Sequence, residues 1–286
     1  MANLSDVKQR IKSVKSTEQI TKAMKLVAAS KLRKAQEAIL TARPYAVKLM
    51  DVMNHLAARC NNDMHPLLEN REGKKTLLLV VTADRGLCGA FNSNIVKKAS
   101  QIIKSNPEHE FSLILAGKKG ADYFQNRPHK VQEKLIGWTR EFDYMQAAKI
   151  GESLAQLFID KVVDKIYVVY NEFKSVMQQE VIQEQLLPIV PETLKETGEP
   201  VNYIYEPDEE TLLEDILKRY MAVEVYRAFL ESTASEHGAR MTAMDSASRN
   251  AKEMIGDLTL FYNRTRQAAI TKELIEVVNG AEALKG

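Results

Sequence analysis

The stretch Ala83–Asn92 (ADRGLCGAFN) comes nearest to an enzyme site in residue type and spacing. It follows the apolar run TLLLVVT, which is typical of a buried strand, and precedes a helical pattern. A glycine-bearing turn in that place can bind phosphate through helix N–H groups. The spacing is neither GxxxxGK[ST] nor GxGxxG, and the P-loop lysine is missing. We therefore interpret the stretch as a structural βα turn. Its defining residues are Asp84, Gly86, Cys88 and Gly89.

The chain offers no convincing catalytic or metal-binding group elsewhere. Cys88 could be a nucleophile beside Arg85, but the five histidines are scattered and none has an evident Cys or Ser partner. The second cysteine, Cys60, forms no CxxC pair with it, and no His/Cys cluster has metal-ligand spacing. We expect no active site, no cofactor and no metal. We also expect Asn92 or Ser93 to cap the helix after the turn.

The charge distribution favours a binding role. Apolar residues make up 45% of the 286 residues, and the net charge is +2. Residues 1–59 nevertheless carry twelve Lys/Arg against four Asp/Glu. Such a basic segment indicates nucleic acid, an anionic membrane surface or an acidic protein partner, or else a solvated helix face. Interleaved aromatics and a recognition motif are missing, so we expect no nucleic acid. Neither a membrane-spanning run nor a signal peptide is evident, which predicts a cytoplasmic, soluble or peripheral protein.

The first segment, residues 3–58, carries a heptad repeat. Thirteen of its sixteen seam positions are apolar, which indicates a coiled-coil helix. The polar exceptions are Glu18, Thr21 and Lys25. Apolar residues lie one step aside at Ile20, Met24 and Val27. We therefore expect a local shift of the seam, as at a stutter. Pro44 should kink this helix without ending it.

The last segment begins at Pro207 and contains no further proline. Acidic residues follow Pro207, as suits the first turn of a helix. A heptad walk from Leu213 to Ala269 is mostly apolar. The two terminal helices would be roughly 80 and 115 Å long, too long to be covered by a compact domain. We expect them to pair antiparallel, with the last helix overhanging at its C-terminal end.

The middle of the chain alternates apolar runs with helical stretches. Three runs predict buried parallel strands: Thr76–Thr82, Phe111–Ala116 and Lys165–Tyr170. Two further strands are predicted at Met177–Gln185 and Val201–Tyr205. Crossover helices are predicted at Asn92–Ser105, Lys118–Gln125 and Asp143–Asp160. The predicted fold is α/β with a long antiparallel coiled coil. Its parts are an N-terminal coiled-coil helix (1–59), a small inserted Rossmann-like α/β domain (74–206) and a C-terminal coiled-coil helix (207–286).

Four motifs resemble one family. Ile270–Ala283 (ITKELIEVVNGAEA) resembles the C-terminal signature of ATP synthase gamma subunits, and Arg10–Gln36 resembles the N-terminal helix of that family. The turn Asp84–Asn92 and the run Ser235–Met244 (SEHGARMTAM) agree as well. The resemblance extends over the whole chain. The inserted cysteine pair of chloroplast members and a mitochondrial transit peptide are both missing, so a bacterial enzyme without thiol control is implied.

The resemblance implies a non-catalytic central-stalk rotor that couples proton-driven rotation of a membrane c-ring to conformational cycling at alpha/beta catalytic sites. Implied partners are the alpha3beta3 hexamer, the epsilon subunit and the c-ring, with one copy per complex. Membrane association, at the cytoplasmic face, would occur only through the complex. The implied rotor–stator coupling residues are Met24, Lys25, Arg240, Gln267, Thr271 and Glu273. The implied C-terminal bearing tip comprises Val277, Ala281 and Leu284.

Two other functions stay open on the residues alone. A static coiled-coil scaffold with an α/β head would show the same helices, but it would not need the polar run Arg264–Glu273. A nucleotide-binding enzyme would use the turn Asp84–Asn92.

Overall fold

The computed structural model describes residues 4–57, 65–139, 142–190 and 209–283. The chain divides into two compact units. The first combines residues up to Ala28 with those from Met241 onward, and the second is Ala29–Arg240. The N- and C-terminal helices contribute residues to both units. The predicted domains 1–59, 74–206 and 207–286 are bounded by the ends of the terminal helices and not by compactness. This division of the chain stays a prediction.

Ten helices and strands make up the described residues. The helices are α1 (Leu4–Ala57), α2 (Phe91–Ser105), α3 (Lys118–Phe124), α4 (Tyr144–Ile159) and α5 (Glu209–Ala283). The strands are β1 (Lys75–Val81), β2 (Glu110–Ala116), β3 (Lys130–Leu135), β4 (Lys165–Phe173) and β5 (Gln179–Leu187). A short 3₁₀ turn covers Pro66–Leu68. As expected, α1 continues through Pro44.

The second unit is built on a five-stranded sheet of order β3-β2-β1-β4-β5. Neighbours from β3 to β4 pair in parallel, whereas β5 is antiparallel to β4. The central strand β1 is buried from Thr76 to Val81 because helices cover both faces of the sheet. The first four strands of this domain therefore meet at one edge with their carboxyl ends, where the turn Ala83–Asn92 begins.

Two hydrophobic cores lie on opposite faces of this sheet. One packs α4, the C-terminal part of α1 and the N-terminal part of α5 against the sheet. Phe229 of α5 is fully buried there; it stacks on Phe142 at 4.3 Å between ring centroids and meets Trp138 edge to face at 4.6 Å. The other core is formed by α2 and α3 and includes the buried Ile95 and Phe124.

The predicted strands agree with the structure where an apolar run exists. The three parallel strands, the antiparallel β5 and the crossover helices lie within a few residues of the predicted positions. β3 was not predicted because its sequence, KVQEKL, has no apolar run; it is an edge strand, where charged side chains prevent further pairing. The predicted strand Val201–Tyr205 lies outside the described residues.

The first unit is an antiparallel pair of helical segments. The less exposed positions of α1 recur at steps of three and four: Leu4, Val7, Ile11, Val14, Glu18 and Thr21. Those of α5 do the same: Ala251, Ile255, Leu258, Tyr262, Thr265 and Ala269. An ion pair joins Lys25 to Asp245, and both stripes extend away from it, which makes the segments antiparallel. From Ile270 to Ala283 every residue of α5 is exposed, as expected for an overhang.

The expected stutter of the seam is wrong. Thr21 is only 8% exposed, whereas Ile20 and Val27 are each 59% exposed. The seam keeps its heptad register because its polar members are satisfied where they lie. The hydroxyl of Thr21 donates to the carbonyl oxygens of Thr17 and Glu18, both at 3.0 Å. This register leaves apolar side chains on the outer surface of α1 in the first unit: Ile20, Leu26 and Val27.

We predict that Phe229→Ala lowers the free energy of unfolding by roughly 3–5 kcal/mol, since a large ring leaves a packed aromatic cluster. Chemical denaturation followed by the fluorescence of Trp138, the single tryptophan, measures this change. Phe261→Ala is the control, because Phe261 is an exposed ring on the same helix and should change stability by less than about 0.5 kcal/mol. Equal effects of the two substitutions would contradict the assigned packing.

Candidate interaction surfaces

The turn after β1 is held by the carboxylate of Asp84. That carboxylate accepts hydrogen bonds from the backbone N–H groups of Lys118 and Gly137, both at 3.0 Å, and from the hydroxyl of Thr139 at 2.8 Å. Burial alone would raise the pKa of Asp84, but these hydrogen bonds outweigh it and the pKa lies below its ordinary value. Asp84 therefore joins the turn to the starts of two neighbouring segments of the domain.

The backbone of the turn is strained at a bulky residue. Leu87 has φ 62° and Gly89 has φ 56°, both in the left-handed region. Glycine adopts this conformation freely, whereas a leucine does so at a cost of about 1–2 kcal/mol. Leu87 is also exposed, as is Arg85 beside it. Other contacts must therefore hold the turn in this shape.

The expected helix cap is wrong. The N-cap of α2 is Ala90, and no side chain bonds to the free N–H groups there. Asn92 instead points back into the turn, where its Oδ1 accepts from the N–H of Ala83 at 2.9 Å. Ser93 donates to the carbonyl of Ala90 at 2.9 Å. Both side chains that could have capped the helix therefore form hydrogen bonds within the turn.

Cys88 is a buried side chain of this turn. Burial raises the pKa of its thiol, and the nearby charge of Arg240 opposes that effect without reversing it. A thiol with a raised pKa is a poor nucleophile, which supports the structural interpretation. Among the described residues, no group of three or more His, Cys, Asp or Glu side chains could hold a metal ion.

Arg240 is buried rather than presented on a surface. Its guanidinium donates to Glu236 at 2.6 Å, to Nδ1 of His237 at 3.2 Å and to the carbonyl of Gly86 at 3.1 Å. The expected contact of Arg240 with another subunit stays a prediction, but in this chain its donors serve internal partners. The contact with Gly86 could not be found from sequence, since 154 positions separate the two residues.

Burial lowers the pKa of His237 to about 4, and the positive charges of Arg240 and Lys31 act in the same direction. The imidazole is therefore neutral in the folded chain at neutral pH, and its Nδ1 can accept the bond from Arg240. Glu236, which accepts a hydrogen bond from the same guanidinium nitrogen, has its pKa raised by burial, although Arg240 opposes this.

A second charged cluster lies nearer the start of α5, where Glu224 is buried and Arg227 is half-buried. Arg227 donates to Glu184 of β5 at 2.5 Å, to Glu224 at 2.6 Å and to the hydroxyl of Tyr170 at 3.2 Å. Burial raises the pKa of Glu224, and Arg227 opposes that effect. These contacts fasten α5 to the edge of the sheet.

Lys25 is also engaged within the chain. Its ammonium lies 2.5 Å from Asp245, whose second oxygen is 3.4 Å from Arg249. The hydrogen bond from Lys25 lowers the pKa of Asp245. Met24, next to Lys25, is half-buried. Other cations of α1 are exposed: Lys22, Lys31 and Arg33.

The C-terminal part of α5 is exposed on every side. Gln267, Thr271 and Glu273 all face solvent, and so does Ala281. Val277 is 69% exposed, and Leu284 lies outside the described residues. Large apolar side chains are also exposed here: Ile270, Leu274, Ile275, Val277 and Val278. Within the described residues nothing covers these apolar faces, and exposed apolar area of this kind is typical of a surface that binds a partner.

In the part of the chain that the structure describes, no helix is long and apolar enough to cross a membrane.

Comparison with known proteins gives one consistent match. A family model described as ATP synthase matches residues 3–284. The chain is 49% identical to the ATP synthase gamma chain of Geotalea uraniireducens (strain Rf4), with 100% of each chain covered. It is equally similar to the ATP synthase gamma chain of Geobacter sp. (strain M21), at 49% identity and the same coverage.

Solved structures agree with that match. A chain from the central stalk/c-ring structure of Tetrahymena thermophila mitochondrial ATP synthase has a TM-score of 0.63 and 27% identity, covering 80% of this chain and 99% of that one. A chain from the OSCP/F1/c-ring structure of Euglena gracilis mitochondrial ATP synthase has a TM-score of 0.72. At 21% identity, with 98% and 94% of the two chains covered, the latter shows a shared fold.

We predict that His237 makes stability depend on pH. Its folded-state pKa of about 4 lies below the ordinary value of 6.5, so protonation favours unfolding. The stabilisation is complete above pH 6.5 and is lost as the pH falls towards 4, by up to about 3 kcal/mol. Chemical denaturation at a series of pH values measures this effect. As the pH falls from 6.5 towards 4, the free energy of unfolding should fall more steeply in the parent than in His237→Gln, because glutamine does not take up a proton. Parallel pH dependences of parent and variant would contradict the assigned burial.

We predict a favourable coupling between Lys25 and Asp245. Because both side chains are partly exposed, a double-mutant cycle with Lys25→Ala and Asp245→Ala should give a small favourable coupling in the free energy of unfolding. The control cycle uses Arg33 and Glu37, an exposed pair within one helix, and should give about 0.3–0.5 kcal/mol. A coupling of zero between Lys25 and Asp245 would show that the pair does not join the helices.

Proposed function

The chain belongs to the ATP synthase gamma chain family, and from that membership we propose how its surfaces serve rotation. It is the central-stalk rotor subunit of the ATP synthase and is not itself catalytic. The synthase uses proton flow to drive ATP synthesis, and hydrolysis drives the same rotor in reverse. The finer assignments below concern its partners, its coupling residues and its place in the cell.

We propose that the exposed end of α5 contacts the alpha3beta3 hexamer. The observation that carries this proposal is the complete exposure of Ile270–Ala283, which includes large apolar side chains. Exposed apolar area of this kind is covered in assemblies. Val277, Ala281 and Leu284 would form the bearing tip, and Gln267, Thr271 and Glu273 would contact the loops that couple rotation to catalysis.

The outer face of α1 offers a second contact. Exposed lysines and arginines alternate there with the exposed apolar residues Ile20, Leu26 and Val27. Such a surface fits an acidic partner loop with some apolar area. We propose that Met24 and the cations beside it face the acidic loops of the beta subunits. Lys25 would act here through its contact with Asp245, since its ammonium is already engaged.

The mechanism follows from asymmetry. A single rotor inside three equivalent catalytic sites presents a different face to each of them. Each site therefore has a different conformational free energy, and its nucleotide affinity changes as the rotor turns. The epsilon subunit and the c-ring would contact the α/β domain. We propose that the complex lies at the cytoplasmic face of a bacterial membrane, and the bacterial relatives at 49% identity support this proposal.

The test uses the assembled, membrane-bound synthase. Replacing Gln267, Thr271 and Glu273 together by alanine should lower proton pumping per ATP hydrolysed, corresponding to a loss of about 1 kcal/mol or more of coupling free energy. Proton pumping by vesicles and ATP hydrolysis are measured on the same preparation.

The matched control replaces Lys252, Glu253 and Asp257, which are exposed polar residues of the same helix, by alanine. This control should leave the ratio unchanged. If the substitutions at Gln267, Thr271 and Glu273 were equally silent, the coupling role of these residues would be wrong, and a static scaffold contact would explain the exposed end better.

A further inference from the structure

The turn Ala83–Asn92 is attached to the rest of the domain from two sides. On one side Asp84 bonds to the start of α3 and to the segment Gly137–Thr139. On the other side the carbonyl of Gly86 accepts a hydrogen bond from Arg240 of α5 at 3.1 Å. The turn is thus a bridge between α5 and the carboxyl edge of the sheet.

The geometry around Arg240 fits this bridging role. Side-chain exposure is 11% for Arg240 and 5% for Glu236, so both charges are largely removed from water. Burial of a charge pair is costly unless its remaining donors are satisfied. Glu236 lies one helical turn before Arg240 and holds one side of the guanidinium at 2.6 Å. The planar fork of arginine then directs its other nitrogen to Gly86.

The turn needs such a contact. Leu87, directly after Gly86, has the left-handed backbone that a leucine adopts only at a cost. Cys88 is buried beside it, and its sulfur accepts a hydrogen bond from Nδ2 of Asn92 at 3.2 Å. When the bond to Gly86 is removed, relaxation of the strained backbone at Leu87 becomes more favourable, and this relaxation would expose Cys88.

Arg240 is also the last member of a row of polar contacts between α5 and the sheet. Arg227 bonds to Glu184, Glu231 accepts from the N–H of Phe173 at 3.0 Å, and Ser235 donates to the carbonyl of Asn171 at 3.1 Å. Apolar contacts between a helix and a sheet allow sliding more readily than directed hydrogen bonds do. A row of such bonds therefore fixes the segment from Arg227 to Arg240 against the domain along the helix axis and in rotation.

We infer that Arg240 is a positioning residue: oriented by Glu236, it fastens the strained turn Asp84–Gly89 to the part of α5 that ends at Arg240, so that this part of the helix and the α/β domain move as one body. Its role is internal to the chain. The consequence for the synthase, which rests on the proposed function, is that torque passes between the α/β domain and α5 through this row of contacts.

Thiol labelling of Cys88 tests the inference on the full chain. A Cys60→Ser background leaves Cys88 as the single cysteine. Arg240→Ala should raise the rate of maleimide labelling by about tenfold, the effect of losing one hydrogen bond to a charged group. Arg240→Lys keeps the charge but lacks the fork, and it should give an intermediate rate.

Lys218→Ala is the matched control, because Lys218 pairs with Glu214 at the same four-residue spacing on α5 but on an exposed face. It should label like the parent. Trp138 fluorescence under the same conditions separates local opening of the turn from global unfolding. An unchanged rate in folded Arg240→Ala overturns the inference; if that variant does not fold, a parental rate in Arg240→Lys overturns it.

The consequence for torque is tested separately in the assembled synthase. Arg240→Lys should lower proton pumping per ATP relative to Lys218→Ala. Raised labelling with unchanged pumping would keep the positioning role and refute the torque path. Lowered pumping with parental labelling would refute the positioning role and favour a direct contact of Arg240 with another subunit.

Discussion

A helix that extends beyond a compact domain must find cover for its apolar stripe along its whole length. In this chain the N-terminal segment of α1 and the segment of α5 after Met241 meet that constraint by pairing with each other. The shielded positions of α5 recur at steps of three and four until Ala269, beyond which the described part of α1 no longer covers it. Every later residue of α5 is exposed as a direct result. The free helix end on which the proposed function depends is therefore a consequence of unequal helix lengths.

Satisfied polar groups explain how the seam tolerates Thr21 and Lys25. A buried hydroxyl that bonds to its own helix, and an ammonium that bonds to the opposite helix, cost little compared with the loss of register. The neighbouring apolar residues Ile20 and Val27 stay exposed, and in the proposed function they belong to the surface that meets a partner. The same heptad register therefore places polar residues in the seam and leaves apolar residues on the outer surface.

Elements with a periodic or continuous apolar pattern could be predicted from the sequence. Strands β1, β2 and β4 are buried on both faces, so continuous apolar runs predicted them. The heptad repeats predicted the helices α1 and α5. β3 has no such pattern because an edge strand tolerates charge. The direction of the Asn92 side chain depends on a strained turn, and the partner of Arg240 lies 154 positions away. Both depend on tertiary contacts, which local patterns do not encode.

The central claim is that the exposed end of α5 is a contact surface inside the assembled synthase. Hydroxyl-radical footprinting of the free chain and of the complex measures this directly, residue by residue. The account predicts strong protection of Ile270, Leu274, Ile275 and Val278 on assembly, with little change at Leu258 and Tyr262, which α1 already shields. Equal labelling of the Ile270–Val278 side chains in the free chain and the complex would contradict it.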